Sequence, residues 1–211
     1  MEIRLRGQTF RLLPQKAIFW VEEKMLLIGD LHLGKVTHFR KAGIAIPSVA
    51  YGNNFTRLDE MILSNHVEKI LLLGDLFHNR HNIEWTVFSA WRKKYPQIEI
   101  QIALGNHDIL PRDLFEETNI IVNTEIQIGA FLFSHHPLEK AEQGLYRFCG
   151  HVHPVFCLKS KARQSIKLPC FVFDEYQAIL PSFGVFTGGF EMKAMTLRHI
   201  YVVAENKILK I

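Results

Sequence analysis

The chain has 211 residues, 48% hydrophobic and 22% charged, with a net charge of +4. This composition argues against long disordered stretches and allows one sizeable core, so a single domain over 1–211 is expected. All its apolar runs are strand-sized, far below the roughly 18 residues of a membrane-spanning helix, and no membrane partner is expected.

The first residues, Met1-Glu2-Ile3-Arg4-Leu5-Arg6, lack an apolar h-region, so no signal peptide is expected. Cys149, Cys157 and Cys170 are odd in number and form no C-x-x-C pair, which fits a reducing cytoplasm.

In chain order, Ile3–Arg6, Ala17–Val21 and Met25–Ile28 read as strands, with a Glu-Glu-Lys turn before the third. Lys35–Ala42 is basic and reads as a short helix or loop. Pro47-Ser48 starts a helix whose apolar stripe is Phe55, Leu58, Met61, Ile62 and Leu63. Ile70–Leu73 is a short strand. Asn82 caps a helix running to Tyr95, with Ile83, Val87, Phe88 and Trp91 facing inward. Pro96 ends it, and Ile98–Leu104 is the next strand. This alternation predicts a largely parallel sheet of α/β class.

The second half reads as short strands at 125–128, 130–134, 146–149, 155–158, 169–173, 178–180, 185–187, 198–203 and 208–211, a mainly antiparallel sheet. The expected architecture is a two-sheet sandwich with helices outside. Lys159–Lys167 reads as an exposed basic loop.

Four apolar runs end at a glycine followed at once by a metal-binding type of side chain: Gly29-Asp30, Gly74-Asp75, Gly105-Asn106 and Gly150-His151. A glycine at the end of a buried strand allows a sharp turn and leaves the next side chain at the sheet edge. The runs continue to His32, to His107 and Asp108, and to His153, while His135 follows the strand Phe131–Ser134. Asp30 with His32, and His151 with His153, are two apart, so each pair can reach one cation. Carboxylate, imidazole and amide oxygen donors suit two hard-to-borderline divalent cations. Such cations bring four positive charges. Asp30, Asp75 and a bridging hydroxide remove three, so the centre still attracts a phosphodiester.

The blocks Gly29-Asp30-Leu31-His32, Gly74-Asp75, Gly105-Asn106-His107-Asp108, Ser134-His135-His136 and Gly150-His151-Val152-His153 resemble, in order, the five blocks of the calcineurin-like metallophosphoesterases. The resemblance implies a two-sheet sandwich with flanking helices. It implies that Asp30, His32 and His153 hold one metal and that Asn106, His135 and His151 hold the other, with Asp75 as the bridge. His107 would lie near the leaving-group oxygen, oriented by Asp108. His136 stands as the alternative to His135.

A closer likeness, carried by Gly29 to Lys35 with His38, Phe39, Arg40, Gly43 and Pro47, is to the ligase-associated DNA-damage-response phosphoesterases (the PdeM group). Gly74-Asp75-Leu76-Phe77-His78 is similar to a block of SbcD-type DNA nucleases, in which a histidine at the position of His78 assists catalysis. Purple acid phosphatases place a tyrosine ligand there, so no iron–tyrosinate colour is expected.

These likenesses imply a phosphodiesterase or nuclease acting on DNA or RNA, with DNA-repair proteins as partners, while the mixed Asp, His and Asn donors without thiolate lean toward Mn²⁺ as the metal, ahead of Fe²⁺, Zn²⁺, Ni²⁺ or Mg²⁺. Lys35, His38, Arg40, Lys41, Arg80, Lys159, Lys161, Arg163 and Lys167 are candidates to pair with backbone phosphates. Only 58 residues follow His153, too few for a capping domain, so ends, flaps or single strands are the expected nucleic-acid substrates. A small-molecule phosphoesterase acting on a nucleotide or cyclic nucleotide is the alternative, and a non-catalytic binding module is the third reading.

Overall fold

A computed structural model describes residues 1–34, 49–77, 83–108, 112–138, 144–159, 164–185 and 187–211. The chain opens as an antiparallel meander of β1 (Glu2–Leu5), β2 (Gln8–Leu13), β3 (Ala17–Trp20) and β4 (Met25–Gly29). It then alternates through α1 (Val49–Asn65), β5 (Lys69–Leu73), α2 (Ile83–Arg92), β6 (Glu99–Ala103), α3 (Arg112–Glu117) and β7 (Ile120–Asn123). Strands β4 to β7 pair in parallel, because each long connection returns the chain to the same sheet end. The seven strands lie side by side in chain order.

The second sheet contains β8 (Glu125–Ile128), β9 (Phe131–Ser134), β10 (Tyr146–Cys149), β11 (Pro154–Lys159), β12 (Ser165–Phe173), β13 (Gln177–Ile179), β14 (Phe190–Glu191), β15 (His199–Ala204) and β16 (Lys207–Lys210). Its main path runs β14-β11-β12-β13-β10-β9-β8, and β15 and β16 attach through β12. The sheet is more mixed than the sequence suggests. The β9–β10, β10–β13 and β11–β14 pairs are parallel, and the others are antiparallel.

Alternation along the strands divides the packing into layers. Met25, Leu27, Leu71 and Leu73 face the second sheet and meet Phe131, Phe133, Phe148, Phe171 and Phe173. Phe133 and Phe148 stack with ring centroids 5.5 Å apart. Leu26, Ile28, Ile70, Leu72, Ile100 and Ile102 face the other way, against Leu58, Met61, Phe88, Trp91 and Phe115 of the helices. Burial on both faces explains the unbroken apolar runs of β4 and β5. Each fully buried large side chain contributes on the order of 1.5–3 kcal/mol. On the far face of the second sheet, Cys149, Cys170, Val172, Ile179 and Ile200 form a third layer.

Several expectations need correction. Strands β2, β7 and β14 and helix α3 were not anticipated. Residues Val185 and Thr187 are not in a strand; the Thr187 carbonyl instead meets His153 Nδ1 at 3.2 Å. Helix α2 stops at Arg92 rather than Tyr95. Leu63 and Val87 are 68% and 42% exposed, because an apolar stripe about 100° wide cannot take every consecutive apolar residue of a helix. Pro47, Ser48 and Asn82 lie outside the described residues. Among the described residues no helix is long and apolar enough to cross a membrane.

Candidate metal centre

The parallel strands β4, β5 and β6 end side by side, and so do β9 and β10 in the facing sheet. The chemistry-bearing residues follow these ends, where an α/β sheet places its ligands. The backbone turns sharply there. Asp30, His32, Asp75, His151 and His153 all have positive φ, at 51°, 45°, 51°, 66° and 50°. For a residue with a Cβ, this left-handed region costs about 1–2 kcal/mol, and its concentration here marks a strained site held by its surroundings.

Hydrogen bonds supply that hold. The Asp30 carbonyl accepts from Ser182 Oγ at 2.9 Å and from the Gly184 amide at 3.0 Å. The Phe183 amide donates to the Gly29 carbonyl at 2.8 Å. Arg57 lies 3.8 Å above the Phe183 ring and donates to the Phe183 carbonyl at 3.1 Å, while Lys16 donates to the Gly184 carbonyl at 2.8 Å. Burial, and then the charge of Arg57, lower the Lys16 pKa to about 7. Across the site, the His32 amide donates to the Asp75 carbonyl at 2.9 Å.

The side chains form two groups. In one, His153 Nε2 lies 3.2 Å from Asp30 Oδ1 and 3.3 Å from His32 Nε2. In the other, His135 Nε2 lies 3.0 Å from both Asn106 Oδ1 and His151 Nδ1. Asp75 Oδ2 stands between them, 3.7 Å from His32 Nε2 and 3.5 Å from His135 Nε2. Asp30 and Asp75 are 0% and 2% exposed. The His151 amide donates to both Asp30 oxygens, at 3.1 and 2.9 Å.

Tautomers test whether cations fit here. His135 Nδ1 meets the Leu73 carbonyl at 3.0 Å, and His153 Nδ1 meets the Thr187 carbonyl. A carbonyl only accepts, so each Nδ1 carries the hydrogen, and a neutral ring then presents a bare Nε2. Those lone pairs face carboxylate and amide oxygens at 3.0–3.5 Å. Acceptors facing acceptors in a buried cavity repel unless a proton or a metal cation lies between them. The carbonyl-oriented imidazole is the arrangement by which a protein fixes a metal-ligating histidine. The donor set therefore fits two divalent cations.

Close approach to the candidate ligands requires glycine at Gly74, Gly105 and Gly150. A Cβ on Gly74 would strike the His135 ring, one on Gly105 would strike the Asp75 carboxylate and amide, and one on Gly150 would strike Asp30 Oδ2.

His107 sits at the rim. Its amide donates to Asp75 Oδ1 at 2.9 Å, and its ring is 5.7 Å from that of His32. Asp108 binds main chain: Oδ2 accepts the amides of Asp75 at 2.7 Å and Gly105 at 2.8 Å, and Oδ1 accepts Leu76 at 2.8 Å. Burial, together with the Asp75 charge and against the pull of these amides, raises its pKa to about 6. The same desolvation, reinforced by His135, lowers the pKa values of His136 and His151.

His78 lies outside the described residues, as do Lys35, His38, Arg40, Lys41, Arg80, Lys161 and Arg163. Sequence reasoning missed Ser182, Arg57, Lys16 and the carbonyls of Leu73 and Thr187. Their roles depend on contacts between segments far apart in the chain, and no local pattern signals them.

The sequence profile of the family described as Calcineurin-like phosphoesterase matches residues 23–164. No curated protein gives a match. Among solved structures, the crystal structure of Pseudomonas putida nuclease MPE is similar, with a TM-score of 0.83 and 29% identity over 100% of this chain and 99% of that one. Yfce, a phosphoesterase from E. coli, gives a TM-score of 0.47 and 11% identity over 89% of this chain and 97% of that one.

Proposed function

This chain belongs to the calcineurin-like phosphoesterase family and is a metal-dependent phosphoesterase; on that premise we propose that it is a single-domain phosphodiesterase that cleaves nucleic acid at a dinuclear centre. The observation that carries the dinuclear reading is the position of Asp75 Oδ2 between His32 and His135. Asp30, His32 and His153 would hold one cation, and Asn106, His135 and His151 the other, with Asp75 shared. Mixed oxygen and imidazole donors without thiolate favour Mn²⁺ among the candidates.

When bound, the cations supply Lewis-acid neutralisation of phosphate charge and lower the pKa of water. The chain's own residues do the rest. His107 delivers a proton to the departing alkoxide oxygen, a role that typically contributes ~10²–10⁴ in rate. The hydrogen bond that its backbone amide donates to Asp75 Oδ1 keeps it beside the shared carboxylate. Asp108 fixes the turn that carries both residues. His78 is proposed as a further assistant to catalysis.

Support for a nucleic-acid substrate comes from likeness over the whole chain to a nuclease and from the exposed lysines 159 and 167 on β11 and β12, which can pair with backbone phosphates. The motif likeness to ligase-associated phosphoesterases supports a place in DNA repair alongside repair proteins. Three free thiols fit the reducing cytoplasm.

A metal-by-substrate panel tests the proposal. Mn²⁺, Mg²⁺, Zn²⁺, Ni²⁺ and Fe²⁺ are each assayed with single-stranded DNA, bis-(p-nitrophenyl) phosphate, p-nitrophenyl phosphate and cyclic nucleotides. Manganese-dependent cleavage of DNA, weakening steeply with salt, is expected. Rapid hydrolysis of monoesters or cyclic nucleotides with no DNA cleavage would place the substrate among small molecules instead.

A further inference from the structure

The sequence offers His135 and His136 as alternatives, whereas the structure brings both to one place. A ring nitrogen of each, with one of His151, lies within 4.8 Å of the others. The His136 ring stands edge-on, its centroid 4.7 Å from that of His135 and 4.3 Å from that of His151. Two donors bound to one cation at about 2.1 Å lie roughly 3 Å apart when adjacent and roughly 4.2 Å apart when opposite. A set of nitrogens no more than 4.8 Å apart is therefore close to a bonded set, and His136 is exposed.

The backbone beneath these rings is braced on both sides. Ser134 Oγ donates to the His136 carbonyl at 2.8 Å and accepts from Arg147 Nη1 at 2.6 Å. The Leu138 amide donates to Gln177 Oε1 at 3.0 Å. Arg147 and Gln177 are 4% and 5% exposed, so buried polar groups hold the two adjacent histidines in fixed relation.

We propose that His136 is an additional ligand of the second cation, so that His135, His136 and His151 present three imidazoles to it along with Asn106 and Asp75. The inference rests on the dinuclear reading above and goes beyond it by making the two pockets chemically unequal. The first pocket offers two imidazoles and two carboxylates, and the second offers three imidazoles and one carboxylate. A nitrogen-rich pocket raises preference for Zn²⁺, Co²⁺, Ni²⁺ or Fe²⁺ over Mg²⁺.

The test compares the wild type with His136→Ala, and with His199→Ala as a surface control, after metal removal and titration with Co²⁺. Stoichiometry and stepwise affinities come from equilibrium dialysis and calorimetry. Paramagnetically shifted imidazole N–H resonances report bound histidines. The expected result is that His136→Ala weakens one binding step by about 10-fold or more, leaves the other within about twofold, and loses one shifted resonance, while His199→Ala changes neither. Two cations bound with unchanged affinities and an unchanged resonance set would overturn the role of His136 and leave the dinuclear reading intact. A wild type that takes up fewer than two Co²⁺ would overturn both.

Discussion

Asp108 accepts the main-chain amide of Asp75 at 2.7 Å, so one carboxylate fixes the position of another that stands between the two donor groups. Its oxygens also take the amides of Gly105 and Leu76, tying the ends of β5 and β6 together. Asn at position 108 would set an NH₂ against at least one of these N–H donors. Asp108→Asn is expected to lower stability by about 1–3 kcal/mol and to weaken metal binding, checked by urea unfolding and metal analysis. Unchanged values in both would remove Asp108 from the scaffold of the site.

The glycines at the strand ends give a sharper contrast. A Cβ on Gly105 would collide with Asp75, whereas Gly7, at φ +78°, has nothing within 4 Å of its Cβ position. Gly7→Ala is expected to cost only the left-handed strain, about 1–2 kcal/mol, with full metal uptake. Gly105→Ala is expected to displace the Asp75 carboxylate and lose bound metal. Equal metal content in the two variants would contradict the close packing described here.

His107 makes a prediction that separates binding from chemistry. His107→Ala is expected to retain both cations and to lose ~10²–10⁴ in turnover, most strongly for substrates with poor leaving groups. Single-turnover assays with metal quantification check it. Full metal occupancy with a wild-type rate would eliminate the acid role.

Lys16 carries a pH prediction. Burial, and then Arg57, lower its pKa to about 7 from 10.5, so the unfolded chain binds its proton more tightly than the folded one. Between those values the unfolded state holds more protons, and stability gains from this group as pH rises, by up to about 1.4 kcal/mol per unit. Lys16→Met lacks that gain. The stability of the wild type relative to Lys16→Met, measured by chemical denaturation, is expected to increase from pH 7 to pH 9.5. A constant difference would show that the buried amine does not titrate in this window.

Much of the fold was legible because local pattern and burial agree. Leu26 and Leu27 point to opposite faces and both are fully buried, which is what an unbroken apolar run before a glycine implies. The residues that the Gly-Asp, Gly-Asn and Gly-His pattern grouped are the ones the fold gathers around Asp75; that they act as ligands is the proposal. The short edge strand Phe190–Glu191 was not legible, since two residues carry no periodicity. Ser182 and Arg57 were equally hidden, because they brace Asp30 and its neighbours from distant parts of the chain. The parallel β9–β10 pair escaped prediction because strand direction depends on where the intervening segment returns, not on the strand sequences.

The most direct measurement is anomalous diffraction from crystals soaked in manganese. Two peaks are predicted, about 3.5–4 Å apart on either side of Asp75 Oδ2, one against Asp30, His32 and His153 and the other against Asn106, His135 and His151. No manganese in this cavity, or manganese bound only at unrelated surface acids, would contradict the dinuclear centre.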